Sequence, residues 1–328
     1  MRVSRNPALP AILIGAGLLV FAQDASPPRE TPIGPRWWPS KWGADDQRGA
    51  ANLLTKDKVL EAKECIREGK LYQLGRLYEH GMPLPGKRHF SLTIPGLPTG
   101  VQSGAKNGLV HNDELVSGEL GQIGTQFDGL GHVGVRVGGE DIFYNGHKLS
   151  DFGDTYGLKK LGVEQVGVFF TRGILLDVPA AKGVRRLAVD YGITAADLEA
   201  ALRLTDVSIR PGDVALVRTG HGQLWMMDNE RYSKSEPGLT LEAAQWLSER
   251  QVSLVGSDNW AVEVVPHENA DRPFEVHQWL LVRHGIYLLE NLDLEQLARD
   301  KVYEFAFVFA PLRLKGATGS PGNPVAVR

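Results

Sequence analysis

Gln122-Ile123-Gly124-Thr125-Gln126-Phe127-Asp128-Gly129-Leu130-Gly131-His132 is the stretch on which the reading of this chain turns. It gathers two carboxamides, one carboxylate and one imidazole, with glycines at 121, 124, 129 and 131 in or beside it. Glycine permits positive φ and close backbone approach, so the chain can bend tightly around something small here. Asp128 and His132 are four apart, a spacing that puts both side chains on one face of a helix. Gly129 and Gly131 disfavour a long helix, and the pattern predicts a short turn or a loop leading into one. An Asp-containing turn beside a partly buried histidine accounts for the same residues without any chemistry.

The surroundings limit what that chemistry can be. The 328-residue chain is 42% hydrophobic and 23% charged with a net charge of −3, the composition of a soluble globular protein. No basic excess points to nucleic acid as a partner. The single cysteine, Cys65, excludes an internal disulfide and a cysteine-rich zinc site. Any metal must therefore be held by His, Asp, Glu or an amide oxygen. At the amino end, Arg2 and Arg5 precede an apolar run from Ala11 to Ala22, too short to span a bilayer. This is the pattern of a secretory signal peptide over residues 1–22, with an uncleaved anchor as the alternative. Residues 23–36, rich in Pro and polar residues, read as a flexible leader, and 37–328 as the folded domain. The expectation is an exported protein, periplasmic or secreted, with no stable membrane association after processing.

Beyond the leader, strands and helices alternate. Thr55 can cap a helix from Lys56 to about Glu68. Pro83 to Ser103 reads as a Pro/Gly-rich loop, a lid or rim. Val166–Phe170, Ile174–Asp177, Val214–Arg218, Val252–Gly256, Ile286–Leu289 and Tyr303–Ala310 read as strands. Thr194 with Asp197 opens a helix as a capping box, Thr240 caps another, and Glu275–His284 is helical. The tail from Lys315 is Gly/Pro-rich. Together these predict an α/β fold, a single domain with a mixed sheet.

Two further candidate ligands lie near the carboxyl end. His277 sits in the apolar helix, and Glu290 stands at the end of an apolar strand. A bare carboxylate buried there would cost several kcal/mol, on the order of 2–7 or more, unless partnered. Asp128, His277 and Glu290 supply two anionic oxygens and an imidazole nitrogen, a set that suits zinc, manganese or another divalent ion. Such an ion activates water towards a carbonyl carbon, and His132 can then move a proton. An ion pair of Glu290 with Arg283, and a core His277 bonded to backbone, explain the same residues equally well from spacing alone.

Five ordered segments break the tie. They are Trp42-Gly43-Ala44-Asp45-Asp46-Gln47-Arg48-Gly49; Gly124 to Asp128 with His132; Arg172-Gly173-Ile174-Leu175-Leu176-Asp177; Pro211-Gly212-Asp213 with Arg218-Thr219-Gly220; and His277 with Gly285-Ile286 and Glu290. From about Trp38 onwards the chain resembles the cyclase family of metal-dependent hydrolases, which includes bacterial kynurenine formamidase and isatin hydrolase. The resemblance implies the family's swivelling β/β/α fold and a homo-oligomer, dimer or tetramer. It also implies metal ligation by Asp128, His277 and Glu290, with His132 as the catalytic histidine. Gln122 and Gln126 stand where the family motif His-x-Gly-Thr-His-x-Asp has its two ligand histidines. An amide oxygen is a weaker, harder donor than imidazole, so a single site with one manganese or zinc ion per chain is expected, with Gln126 or Gln122 as further ligands.

Other residues are candidates for the pocket. Phe127 and Trp260 can stack on an aromatic substrate, and His221 or His147 can line the pocket. His111 can replace a lost ligand. Asp258 and Glu263 follow a strand end, where α/β proteins place site residues. The activity implied is cleavage of a C–N amide or formamide bond in a small molecule, as in an arylformamidase acting on N-formylkynurenine. Hydrolysis of a cyclic amide or lactone is the alternative. A non-catalytic small-molecule binding protein is the reading from another class.

Overall fold

The apolar strand runs are buried at every position but Phe170, as strands of a parallel sheet covered on both faces are. In the computed structural model, which describes residues 29–96 and 100–328, they join one nine-stranded sheet. Its strands in chain order are β1 (Leu71–Gln73), β2 (Gln126–Asp128), β3 (Phe169–Asp177), β4 (Val214–Arg218), β5 (Leu254–Ser257), β6 (Tyr287–Glu290), β7 (Glu304–Phe309), β8 (Gly319–Pro321) and β9 (Val325–Val327). The spatial order is β8-β2-β6-β5-β4-β3-β7-β9-β1. The four central strands β3 to β6 pair in parallel. Antiparallel strands extend the sheet on both sides. The mixed α/β architecture expected from the sequence is the one observed.

Helix starts follow local chemistry. The Thr55 hydroxyl accepts from Lys58 N at the head of Lys56–Lys63. Thr194 and Asp197 form a reciprocal capping box at Ala195–Leu202. Thr240 caps Leu241–Glu249. The segment from Glu275 is an α-turn through His277 that widens into a π-helical stretch, Gln278–Arg283. Wide turns of this kind are frequent at functional sites.

Several segments depart from the sequence expectation. Gln126–Asp128 is a strand, not a turn, because β6 on one side and β8 on the other take up its backbone groups. The Gly/Pro-rich tail is drawn into the sheet as β8 and β9 for the same reason. Within the expected 83–103 loop, Phe90–Thr93 pairs with Leu115–Gly118, and Val101–Gln102 with Val110–His111, forming an antiparallel ribbon. The expected signal peptide lies outside the described residues. From Arg29 the expected leader is tied down: Glu30–Thr31 pairs with Gly34–Pro35, and Arg283 Nη1 donates to the Pro35 carbonyl at 2.6 Å. Among the described residues no helix is long and apolar enough to cross a membrane.

Candidate metal centre and its cavity

The register between β2 and β6 builds the site. Glu290 lies opposite Gln126, and Leu288 opposite Asp128. Side chains alternate along a strand, so Gln126, Asp128 and Glu290 share one face while Phe127 takes the other. Strand β2 is held in place from behind. The Thr125 hydroxyl donates to the Asn291 carbonyl at 2.8 Å and accepts from Arg76 N at 2.7 Å. Gly124, at φ +58°, has its Cα against the Tyr78 ring, where a Cβ would approach within 2.6 Å. His277 reaches the same face from the α-to-π junction.

Ligand atoms of Asp128, His277 and Glu290 all lie within 4.8 Å of one another, and all three residues are buried. His277 Nε2 is 3.4 Å from Glu290 Oε1 and 3.8 Å from Asp128 Oδ2. The other ring nitrogen, Nδ1, is 2.5 Å from Glu263 Oε1, which also accepts the His277 backbone N–H at 3.2 Å. This is the arrangement by which an outer carboxylate fixes the tautomer of a ligating histidine. His267 Nδ1 lies 3.4 Å from the second Glu263 oxygen.

Charge at the site is unbalanced. Burial, followed by the neighbouring Asp128 charge, pushes the Glu290 carboxyl up to about 7, against the pull of His277. Burial opposes a charge on His277, but Glu263 and Glu290 outweigh it and hold the imidazole well above its ordinary value. Burial also opposes a charge on Glu263, and His267 and His277 bring it below the usual carboxylate range. Three buried carboxylates thus draw positive charge onto one imidazole, and a divalent ion answers the same demand. The donors fit such an ion: two carboxylates, one imidazole, and Gln126, whose buried Oε1 has no hydrogen-bond partner among the described residues. The Gln126 amide nitrogen donates to Glu290 Oε2 at 2.6 Å.

These residues floor a cavity of about 400 Å³. His132 lines it, with Nδ1 3.4 Å from Gln122 Nε2, which donates to Asp128 Oδ1 at 3.2 Å. Trp260 forms part of the wall. Its segment is set by the buried Glu236 carboxyl, which accepts from Trp260 N at 2.7 Å and Ala261 N at 2.8 Å. Beside the cavity, Val262 and Phe274 hold left-handed backbone, with φ of +59° and +58°. Left-handed backbone at a β-branched or bulky residue is an outlier that clusters at functional sites.

Not every candidate comes to the cavity. The Phe127 ring is buried in the core, stacked on Tyr287 at 5.1 Å and packed against Phe169 and Phe309. Full burial of such a ring contributes roughly 1.5–3 kcal/mol, and it is out of reach of a ligand. His221 is buried beneath Tyr232, with Nε2 3.0 Å from that residue's carbonyl oxygen. His111 stands on the exposed ribbon, and His147 bonds the Asp46 carbonyl at 3.2 Å. Asp258 accepts from Thr219 N and Gly220 N, capping a turn. Arg283, proposed as an ion-pair partner of Glu290, instead holds the amino-terminal hairpin. Six lining residues escaped the sequence reading of the site: Arg88, Val133, Ala261, Pro273, Phe274 and Gln278. The one available signal for Arg88 was a basic triplet, Lys87-Arg88-His89, inside a Pro/Gly-rich rim.

Comparison with known proteins follows the same lines. Kynurenine formamidases from two strains of Bacillus cereus are similar to part of the chain. One is 34% identical over 111 residues, covering 34% of this chain and 47% of the relative. The other is 37% identical over 89 residues, covering 27% and 39%. The chain therefore spans less than half the length of the curated relatives it matches. A crystal structure of a novel cyclase is 34% identical, with a TM-score of 0.78 over 88% of this chain and 96% of that one. Isatin hydrolase A from Ralstonia solanacearum, 20% identical, shares the fold with a TM-score of 0.57 over 84% and 98% of the two chains. The Cyclase family model matches residues 73–264, a span that contains the Gln122–His132 stretch and Glu263 and more than half of the chain. On these grounds the chain belongs to the Cyclase family.

Proposed function

We propose that this chain is a metal-dependent hydrolase that cleaves the C–N bond of an amide or formamide in a small molecule. The observation that carries the reading is the convergence of Asp128, His277 and Glu290 at the floor of a cavity with too little positive charge to match them. A divalent ion held there, zinc or manganese and one per chain, supplies Lewis-acid polarisation of a carbonyl and an activated water. The chain's own residues do the rest. Glu263 orients His277, and Gln122 bridges His132 and Asp128, placing the imidazole where it can carry a proton to the leaving nitrogen. Trp260 and Phe274 offer apolar walls to a planar substrate and help exclude water.

An arylformamidase is the specific form favoured by the kynurenine formamidase relatives, and a cyclic amide or lactone is the other substrate class. The purified protein, assayed on N-formylkynurenine, isatin and small lactones with and without chelator, tests the reading. Turnover that stops on chelation and returns with zinc or manganese is expected. Chelator-insensitive turnover refutes the mechanism, and two tightly held ions per chain refute the single site. One observation favours a binding protein instead: the Gln126 amide already occupies one Glu290 oxygen. His132→Ala separates the two, since an enzyme loses turnover and a binder has none to lose.

Export to the periplasm or outside, supported by the basic and apolar pattern of residues 1–22, is part of the proposal. The amino-terminal sequence of the mature protein in each cell fraction checks it. So is assembly into a dimer or tetramer, supported by the exposed apolar residues Leu109, Val110 and Leu115 on the ribbon. Sedimentation equilibrium checks that.

A further inference from the structure

We infer that Arg88 makes the cavity selective for a ligand that carries a carboxylate beside its reacting carbonyl; this rests on the hydrolase reading above. Among the described residues Arg88 is the only lysine or arginine that lines the cavity. Its one hydrogen bond there is to Gln122 Oε1, at a long 3.4 Å, and it forms no ion pair among the described residues. A guanidinium has five N–H donors in a fixed fork, so most of its capacity faces the cavity. Charge matching sharpens the point. A divalent ion offsets Asp128 and Glu290, and Glu263 is engaged by His277 and His267. Arg88 is then the cationic side chain that faces the cavity with no carboxylate in ion-pair contact among the described residues.

Its position also limits the geometry of the ligand. The Gln122 amide spans from Arg88 to Asp128, so Arg88 stands one amide group away from the metal-binding residues. A carboxylate paired with Arg88 and a carbonyl at the centre must therefore be close neighbours on one small scaffold. Val133, Trp260, Pro273 and Phe274 line the same space and favour a flat, apolar body between them. An ortho-substituted aromatic carboxylate meets all three conditions, and bidentate pairing with a guanidinium is the strong form of carboxylate recognition.

The test compares 2-formamidobenzoate with formanilide, which lacks only the carboxylate. In both, water adds across the C–N bond and releases formate and the arylamine. Binding of 2-aminobenzoate against aniline to the zinc-loaded protein, by calorimetry, gives a readout independent of turnover. The expected kcat/KM ratio, charged over neutral, is about tenfold or more in the wild type. Arg88→Gln brings that ratio and the binding ratio down together, and Arg88→Lys retains part of each, which a merely misfolded variant does not do. A wild-type kcat/KM ratio near one, or ratios that Arg88→Gln leaves unchanged, overturns the inference even where both formamides are hydrolysed. If neither formamide is hydrolysed but the binding ratio falls in Arg88→Gln, the hydrolase reading fails and the carboxylate preference stands.

Discussion

Two clusters of buried charge sit at opposite ends of the same parallel strands, and they are built differently. Before β4, Asp213 accepts from Lys58 Nζ at 2.6 Å and from Arg172 Nη2 at 2.6 Å, and Arg172 Nη1 continues to Glu304 at 2.9 Å. Cations and carboxylates alternate, and each finds a partner within the chain. Beyond the end of β6, Asp128, Glu263 and Glu290 surround a single imidazole. Burying an ion is tolerable only when its charge is matched, so the first cluster is complete and the second calls for a cation from outside. Ligands of open α/β sheets bind beyond the carboxyl ends of the strands, which is where the unmatched cluster lies. Arg172, Asp213, Asp177 and Arg218, from the segments that carry the resemblance, belong to matched pairs and hold the scaffold.

The contrast can be broken at either end. The largest effect is expected from Asp213→Asn, which takes the fully buried carboxylate away from Arg172 and Lys58 and should cost about 3–5 kcal/mol in urea unfolding, with metal content unaltered. Asp128→Asn should do the reverse. Affinity for zinc or manganese should fall by more than the roughly 100-fold that loss of an outer partner causes. The chelated variant should meanwhile gain on the order of 1 kcal/mol, about 2 °C in Tm for a chain of this size, as like-charge repulsion is removed. A loss of stability in the chelated variant would mean that the second cluster is matched after all.

Glu263→Gln should lower metal affinity about 10- to 100-fold, measured by competition with a fluorescent chelator, because His277 loses the carboxylate that orients it. Unchanged affinity would leave Glu263 a packing residue. The smallest effect concerns a third answer to burial, which is to shed the charge. Burial brings His221 and His284 down to about 4, from an ordinary 6.5. Above pH 6.5 both are neutral whether the chain is folded or not, and their contribution to stability is complete. As the pH falls from 6.5 towards 4 the unfolded chain binds more protons, so stability declines across that window. Replacing both with Gln should flatten the decline in chelated protein, and an unaltered slope would assign it to other groups.

Local chemistry was legible because it needs few residues. The hydroxyls of Thr55, Thr194 and Thr240 cap the helices they precede, and the apolar run before Glu290 is a strand that carries this carboxylate to its end. The 83–103 ribbon and the β8 and β9 tail were not legible. Their strands are two to four residues long, and only pairing with distant partners makes them strands at all.

The same division runs through the site. Asp128, His277 and Glu290 could be singled out from residue type, context and family resemblance, since a carboxylate on an apolar strand has few tolerable fates. Phe127 was misjudged because neighbouring side chains on a strand face opposite ways, and nothing local marked 126–128 as a strand. The sequence by itself therefore determined the helix starts, the apolar strands of a mixed sheet and the identity of the charged residues that required a partner. Only the tertiary structure decided which charges were matched. It put Glu263 behind His277 and Arg88 over the cavity, through sheet register and the crossing of a distant helix, and the range of electrostatic matching is a few ångströms in space rather than along the chain.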